Sequence, residues 1–303
     1  MQLEGVHHVT CITGDAPANV AFYADTLGLR LVKKTVNQDD PAVYHLFYAD
    51  ELGSSGADIT FFEYPGAQPG RAGDGMVHRV VFRVGSEESL AFWHDRVGGE
   101  RSDGSLRFSD PEGLALELVV DDSGDEPLQA WSPDIPPAHA LRGFAGVRAF
   151  ASRPERSAGL LAALGFDGSG SLFEARGAAR GGFYAFDEPP ATRGSHGGGT
   201  VHHVAWASLP ADHDAWRARV AGAGSSPTPV VDRFYFQSIY FREPSGVLFE
   251  IATIGPGFTT DEPLESLGEK LSLPPDFEHL RDRLAGVLTP LPVPRAVQAR
   301  AGR

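Results

Sequence analysis

Two vicinal histidine pairs, His7-His8 and His202-His203, occupy near-identical settings toward opposite ends of a 303-residue chain. Each is flanked by valines, as Val6-His7-His8-Val9 and Val201-His202-His203-Val204, in stretches whose apolar residues favour β-strand. Beyond the second pair, Gly246-Val247-Leu248-Phe249-Glu250 carries a carboxylate on another strand-like run. Two neutral imidazoles and one carboxylate, with coordination positions left open, are the ligand set of non-haem Fe(II) oxygenases. Strands hold side chains rigidly enough to set such a geometry.

An internal repeat says which elements must bring these residues together. Glu243-Pro244-Ser245-Gly246-Val247-Leu248-Phe249-Glu250 matches Asp110-Pro111-Glu112-Gly113-Leu114-Ala115-Leu116-Glu117, an acidic-Pro-x-Gly turn entering an apolar strand with glutamate at the same offset. Upstream of them stand Val201-His202-His203-Val204 and Val77-His78-Arg79-Val80, and Ala145-Gly146-Val147-Arg148 adds another start to that of Val6. Each start precedes a helix signal that ends in glycine: Asp15 and Pro17 to Gly28, Ser86 to Gly98, Pro154 to Gly165 and Pro210 to Gly222. The unit is strand, helix and three further strands, repeated four times. The expected class is therefore α+β, four βαβββ modules forming two domains of curled, mixed or antiparallel sheets with outer helices.

Asp121-Asp122-Ser123-Gly124-Asp125 and the prolines from Pro133 to Pro137 read as a linker. The expected division is a two-module unit over 1–122, a linker over 123–141, a two-module unit over 142–258 and a tail over 259–303. In the tail a short helix is expected near Asp276 to Leu284, a frayed end from Pro292, and an ordered part that covers the surface beside the site.

Stacking the four starts aligns His8, Arg79, Val147 and His203. Adjacent strand residues point to opposite faces, so one histidine of each pair looks into a given cavity. His8, His203 and Glu250 are the ligands this selects. An isolated strand histidine is more often a hydrogen-bonded structural residue than a ligand, and it is the repeat that raises these two above that background. In the second module Arg79 and Glu117 stand in place of ligands, and a salt bridge between them is expected.

Composition narrows the partners. The charge of −14 opposes binding to nucleic acid and to anionic membrane surfaces, which favours a small-molecule substrate. The single Cys11 forms no internal disulfide, no apolar run approaches the ~18 residues of a membrane span, and the N-terminus lacks a signal-peptide pattern, so a cytoplasmic location is expected. The glycine-rich runs Gly177 to Gly182 and Gly194 to Gly199 lack Gly-Lys-Ser/Thr entering a helix and read as flexible loops. There is no Gly-x-Ser-x-Gly nucleophile elbow either, which disfavours hydrolase chemistry.

Four βαβββ modules with paired strand histidines resemble the vicinal oxygen chelate superfamily of glyoxalase I, bleomycin-resistance proteins and extradiol dioxygenases. Val6-His7-His8-Val9-Thr10, Tyr44 through Gly53, Arg142-Gly143-Phe144 and Gly257 through Glu262 are similar to its hydroquinone-cleaving branch, typified by 2,6-dichlorohydroquinone 1,2-dioxygenase. The resemblance covers nearly the whole chain. It implies a ring-cleaving dioxygenase that takes a small aromatic diol and O2, with Fe(II), or alternatively Mn(II), held by His8, His203 and Glu250. It further implies that His7, His202, Arg233 and Tyr240 surround the metal. In that scheme His7 or His202 accepts a phenolic proton, Tyr240 hydrogen-bonds an oxygen, and Arg233 offsets negative charge. A homodimer is left open, since four modules also suffice to pair within one chain.

Two rivals remain at this level. Phe61-Phe62-Glu63 ends the first module somewhat as Leu248-Phe249-Glu250 ends the fourth, so His8, Glu63, His203 and Glu250 would make the four-ligand site of a glyoxalase-like lyase or isomerase. Otherwise Glu63 is a strand-end carboxylate facing solvent. The second rival is a ligand-sequestering protein, which needs a cleft and no metal.

Overall fold

In the computed structural model, which describes residues 1–301, the chain forms four successive βαβββ modules. The first runs β1 (Val6–Thr13), α1 (Ala16–Val20) continuing as a π-helix over Ala21–Thr26, β2 (Arg30–Asn37), β3 (Asp40–Ala49) and β4 (Asp58–Glu63). The second has β5 (Val77–Val84), α2 (Glu87–Val97), β6 (Glu100–Ser102), β7 (Ser105–Ser109) and β8 (Ala115–Val120). The third has β9 (Phe144–Phe150), α3 (Ala158–Ala163), β10 (Asp167–Ser169), β11 (Leu172–Arg176) and β12 (Gly181–Asp187). The fourth has β13 (Thr200–Ser208), α4 (His213–Gly222), β14 (Val231–Asp232), β15 (Gln237–Arg242) and β16 (Leu248–Thr253). Helix limits follow local chemistry. Asp15 caps α1 by accepting from the Ala18 N–H, Ser86 caps α2 through Ser89 N–H, and Gly98 ends α2 at a φ of 69° that a side chain would strain.

The modules are not grouped by sheet as they are by chain order. One eight-stranded sheet has the order β14-β15-β16-β13-β1-β4-β3-β2, and the other β10-β11-β12-β9-β5-β8-β7-β6. The first module thus joins the fourth and the second joins the third, across the boundary between 1–122 and 142–258. The joints are antiparallel pairings of opening strands, β1 with β13 and β5 with β9. A module alone would leave its opening strand as an unpaired edge, and joining two of them at that edge satisfies both. A cluster of buried apolar residues extends through both sheets, and a smaller one, with Phe47, Tyr235, Phe236 and Phe258, lies against the first sheet.

The loop from Gly194 to Gly199, expected to be flexible, is paired instead. Arg71 and Ser195 exchange backbone hydrogen bonds of 2.8 Å, and Gly70 N–H donates to Gly198 O at 2.8 Å. The two segments pass so closely that a Cβ on Gly197 would meet Gln68 O at 2.3 Å, which is why glycine is required there.

The tail closes the outer edge of the first sheet. Lys34 bridges to Leu271, Ser272 N–H donates to Lys34 O at 2.8 Å, and Arg30 donates to the carbonyls of Leu264 and Glu265 at 2.7 and 3.1 Å. Lys33, on β2, is fully buried between Asp261 at 2.7 Å and Glu262, and also donates to Phe258 O at 3.1 Å. The helix expected near Asp276 to Leu284 is a 3-10 turn over Pro275–Leu280 followed by α5 (Arg281–Ala285). The end expected to fray is helical as α6 (Arg295–Ala301), because Arg295 pairs with Asp134 at 2.8 Å and Arg300 with Glu51 at 2.5 Å.

Lys33→Met would leave Glu262, which is 2% exposed, as an uncompensated buried charge. Removing one partner of such a pair costs about 3–5 kcal/mol, to be read from urea unfolding; a loss below about 1 kcal/mol would contradict the clamp.

Candidate metal centre

His8 lies on β1, His203 on β13 and Glu250 on β16, three strands that are neighbours in the first sheet. Register brings them level: Thr10 faces His203, His8 faces Ala205, and Ala205 pairs with Glu250. Their ligand atoms converge, with His8 Nε2 and His203 Nε2 3.4 Å apart and Glu250 Oε2 3.2 and 2.9 Å from them. All three residues are at least nine-tenths buried. Mutually perpendicular ligands about 2.1 Å from one ion lie about 3 Å apart, so these separations suit one face of an octahedral site. Oε2 is a buried oxygen with no hydrogen-bond partner despite the two nearby nitrogens, while Oε1 is held by the Ser238 hydroxyl. An orphaned carboxylate oxygen facing two imidazole nitrogens is the donor set of a cation site, and the three residues could hold a metal ion.

The second histidine of each pair does not point away as strict alternation requires. Register slips between Val6 and His8 on β1, and opposite Thr10 and Cys11 on β13, so His7 and His202 are the extra residues of two β-bulges. A bulge re-aims its side chains, and each pair ends with its Nδ1 atoms in contact, at 2.9 Å for His7 and His8 and 2.7 Å for His202 and His203. For His8 and His203 to present a lone pair at Nε2, each must carry its proton on Nδ1 and donate it to the neighbouring ring. His7 then bears its own proton on Nε2, where Thr253 O accepts it at 3.2 Å. Removal from water, with His8 alongside, lowers His7 to about 3, and the same loss of hydration, with His203 alongside, lowers His202 to about 3. Both rings are neutral at pH 7. Burial tends to raise Glu250, but His8 and His203, when they carry a proton on Nε2 in place of a metal, outweigh it and hold this carboxyl well below the usual range.

The centre forms part of the wall of a cavity of about 470 Å³ to which all eight strands of the first sheet contribute. Its apolar lining includes Phe47, Phe62, Tyr235, Phe236 and Leu248. Tyr240 and Arg233, expected near the metal, also line it. The Tyr240 ring stands edge-on to His203 at 5.9 Å, and its hydroxyl accepts from Arg233 Nε at 3.1 Å. Arg233 is oriented by a bidentate pair with Asp39 at 3.1 and 2.9 Å. His202 lines the same cavity, whereas His7 sits behind His8 and borders a separate cavity.

Sequence reasoning passed over His45. It lies on β3 between Phe47 and Phe62, with ring centroids 4.0 and 4.4 Å away, and lines the cavity. Its Nε2–H donates to Thr60 Oγ1 at 2.9 Å, which donates to Thr10 Oγ1 at 2.8 Å, leaving Nδ1 as an acceptor. Alternation along β3 places it on the face of Phe47, and that was the available signal.

Glu63 is not part of the centre. By register, the position in the first module that corresponds to Glu250 is Thr60: Thr60 pairs with Thr10 as Glu250 pairs with Ala205. Glu63 follows Phe62, which lines the cavity, and so faces the other way, where it is 2% exposed and accepts from Ala16 N–H at 3.3 Å. Both the four-ligand arrangement and the solvent-facing carboxylate are therefore set aside. The third module also aligns one residue differently from the sequence stacking: Val147 pairs with Val80 as Val204 pairs with Val9, so Gly146, not Val147, corresponds to His203. The second sheet thus has Arg79, Gly146 and Glu117 where the first has ligands. Arg79 meets Glu117 at 3.2 Å, as expected, and Arg107 joins them at 3.0 Å.

The fold, the repeat and the three-residue centre define a class, and comparison of sequences agrees. Residues 5–118 and 86–251 match the Glyoxalase/Bleomycin resistance protein/Dioxygenase superfamily, and the chain belongs to it. It is 40% identical over 309 residues to MhqO of Bacillus subtilis, assigned as a ring-cleaving dioxygenase, spanning 95% of this chain and 97% of that protein. It is 35% identical over 309 residues to a chlorohydroquinone/hydroquinone 1,2-dioxygenase of Sphingobium indicum, spanning 93% and 95%. A crystal structure of a Bacillus subtilis protein assigned as a dioxygenase superposes with a TM-score of 0.89 at 38% identity, covering 96% of this chain and 98% of the other. Glyoxalase I from Zea mays, at 16% identity and a TM-score of 0.55, shares the fold.

A histidine held near 3 when folded and near 6.5 when unfolded takes up its proton first in the unfolded state, so stability is lost as pH falls from 6.5 toward 3. Urea midpoints of metal-free protein at about pH 7.5 and about pH 4.5 should differ accordingly, and His7→Gln should shrink the difference. An unchanged difference in that variant would contradict a neutral His7.

Proposed function

We propose that the protein is an Fe(II)-dependent dioxygenase that cleaves the ring of a hydroquinone or related dihydroxylated aromatic with O2. The observation that carries this reading is the unpartnered Oε2 of Glu250, facing the Nε2 atoms of His8 and His203 in the wall of an aromatic-lined cavity. Three ligands on one face leave positions open for two reactants. The relatives that act on hydroquinone or carry the ring-cleaving assignment support the substrate class. Fe(II), when bound, would lower the pKa of a phenol oxygen and bring it together with O2, removing much of the entropy cost of the encounter.

The remaining chemistry belongs to the chain. Phe47, Phe62 and Phe236 give the cavity aromatic walls that suit a flat ring. Tyr240 O–H, polarised by Arg233, donates to an oxygen that gains negative charge, a role typically worth about 2–4 kcal/mol. The tautomers change the part given to His202. With its Nδ1 lone pair engaged by His203 Nδ1–H, it carries its proton on Nε2 and acts as a donor rather than as the acceptor of a phenolic proton. His7 is committed to Thr253 O in the same way and fixes the orientation of His8. His45, which burial holds well below the usual histidine range, keeps an Nδ1 lone pair that can accept a hydrogen bond from a substrate hydroxyl.

The test is oxygen uptake by anaerobically Fe(II)-loaded protein given hydroquinone, chlorohydroquinone or catechol. Uptake with a ring-opened product, absent in His203→Ala, is the expected result; bound iron without uptake would overturn the reading. His8→Ala, His203→Ala and Glu250→Ala should each reduce bound iron to below about a tenth of normal, and Glu63→Gln should leave it unchanged. Tyr240→Phe should retain iron while turnover falls on the order of a hundredfold.

A further inference from the structure

The cavity of the candidate centre carries a polar group beyond the ligand strands. His8, His203 and Glu250 stand on β1, β13 and β16, whereas His45 stands on β3, with β4 between it and β1. The Phe62 ring lies between the two places, its centroid 4.4 Å from that of His45 and 6.5 Å from that of His203, so a single aromatic ring bridges the gap. His45 is fixed at one edge, where Nε2–H donates to Thr60 Oγ1 at 2.9 Å and Thr60 in turn donates to Thr10 Oγ1 at 2.8 Å, both threonines being fully buried. At the other edge Nδ1 has no partner among the described residues and is not an atom closed off from the surface, so its lone pair opens onto the cavity that the ring lines. Burial holds His45 well below the usual histidine range, so the ring is neutral and this nitrogen accepts. Asp39 and Thr228, which line the same cavity, are engaged already: Asp39 accepts from Arg233 at 3.1 and 2.9 Å, and Thr228 Oγ1 accepts from Tyr240 N–H at 3.1 Å.

An acceptor set between aromatic rings favours a ligand hydroxyl and disfavours an analogue that lacks it, because the analogue leaves the acceptor unpaired. In a 1,4-diol the hydroxyls stand at opposite edges of the ring, so that with one at the centre the other reaches across the width of a ring; in a 1,2-diol both stand at the same edge. We propose that His45 is a specificity-determining residue, its Nδ1 accepting from the second hydroxyl of a 1,4-diol whose first oxygen is at the centre. The proposal rests on the dioxygenase reading for the place of that first oxygen, and adds to it which dihydroxylated ring the cavity reads at both edges.

Calorimetric titration of the Fe(II)-loaded protein under nitrogen with hydroquinone, 4-fluorophenol and catechol tests the assignment without turnover. Fluorine is close in size to a hydroxyl and cannot donate, so hydroquinone should bind about tenfold more tightly than 4-fluorophenol, the worth of one neutral hydrogen bond. His45→Phe, which keeps an aromatic ring and removes the acceptor, should abolish that difference while bound iron and the affinities for 4-fluorophenol and catechol stay as they were; a merely structural role would weaken all three ligands together. Equal affinity of the unaltered protein for hydroquinone and 4-fluorophenol would overturn the proposal even if the variant fails to fold, and so would a parallel loss of catechol and hydroquinone in the variant or the absence of saturable hydroquinone binding. A preference that depends on His45, with no ring-opened product once O2 is admitted, would overturn only the dioxygenase reading. Ring opening without the preference would overturn only the assignment of His45.

Discussion

The antiparallel pairing of β1 with β13 is the contact on which the chemistry of this molecule depends. It places Thr10 opposite His203 and His8 opposite Ala205, and so brings histidines from the first and last modules to adjacent strands. With one bulge on each strand, both members of each pair turn toward one another and lock Nδ1 to Nδ1. A two-residue slip of this register would move His203 by more than the width of an ion, and a one-residue slip would turn it to the other face. The parallel pairing of β13 with β16 then supplies Glu250 at the same level.

The second sheet shows what the scaffold does without that chemistry. β5 and β9 pair in the same register, with slips at the corresponding places, between Val77 and Arg79 and opposite Val81 and Phe82. The glutamate persists as Glu117, yet Arg79 replaces the first imidazole and Gly146 the second. Arg79 and Arg107 neutralise the carboxylate, and a side chain at Gly146 would run into Phe183, whose carbonyl lies 2.3 Å from the Cβ position. The same geometry therefore ends in an ion-pair cluster on one sheet and in a carboxylate oxygen facing two imidazole nitrogens on the other. Leaving a buried carboxylate oxygen without a partner is unfavourable unless a ligand occupies the gap.

The tail bears on the site through the cavity wall. Asp261 accepts from both Lys33 and the hydroxyl of Tyr235, at 2.7 and 2.9 Å, so the buried cation of β2 and one residue of the wall share a carboxylate. Tyr235 and its neighbour Phe236 separate the cavity of the candidate centre from the one that His7 borders. A segment outside every repeat thus holds the partition between two cavities.

The sequence alone determined the module and its count, because helix caps, terminal glycines and strand patterning are local signals that survive in each copy. It also singled out His8, His203 and Glu250, since a repeat turns two distant histidine pairs into one equivalent position. Only the tertiary structure decided how modules group, because pairing of opening strands is set by edges that no local pattern records. Register decided against Glu63, which resembles Glu250 in its neighbours but lies three residues beyond Thr60, the position that corresponds to it, and on the other face. Bulges, invisible in a pattern of alternation, brought His7 and His202 into contact with the ligand candidates, Nδ1 to Nδ1. His45 belongs to this second group as well, since it gains meaning from the cavity it lines, a property of packing in three dimensions.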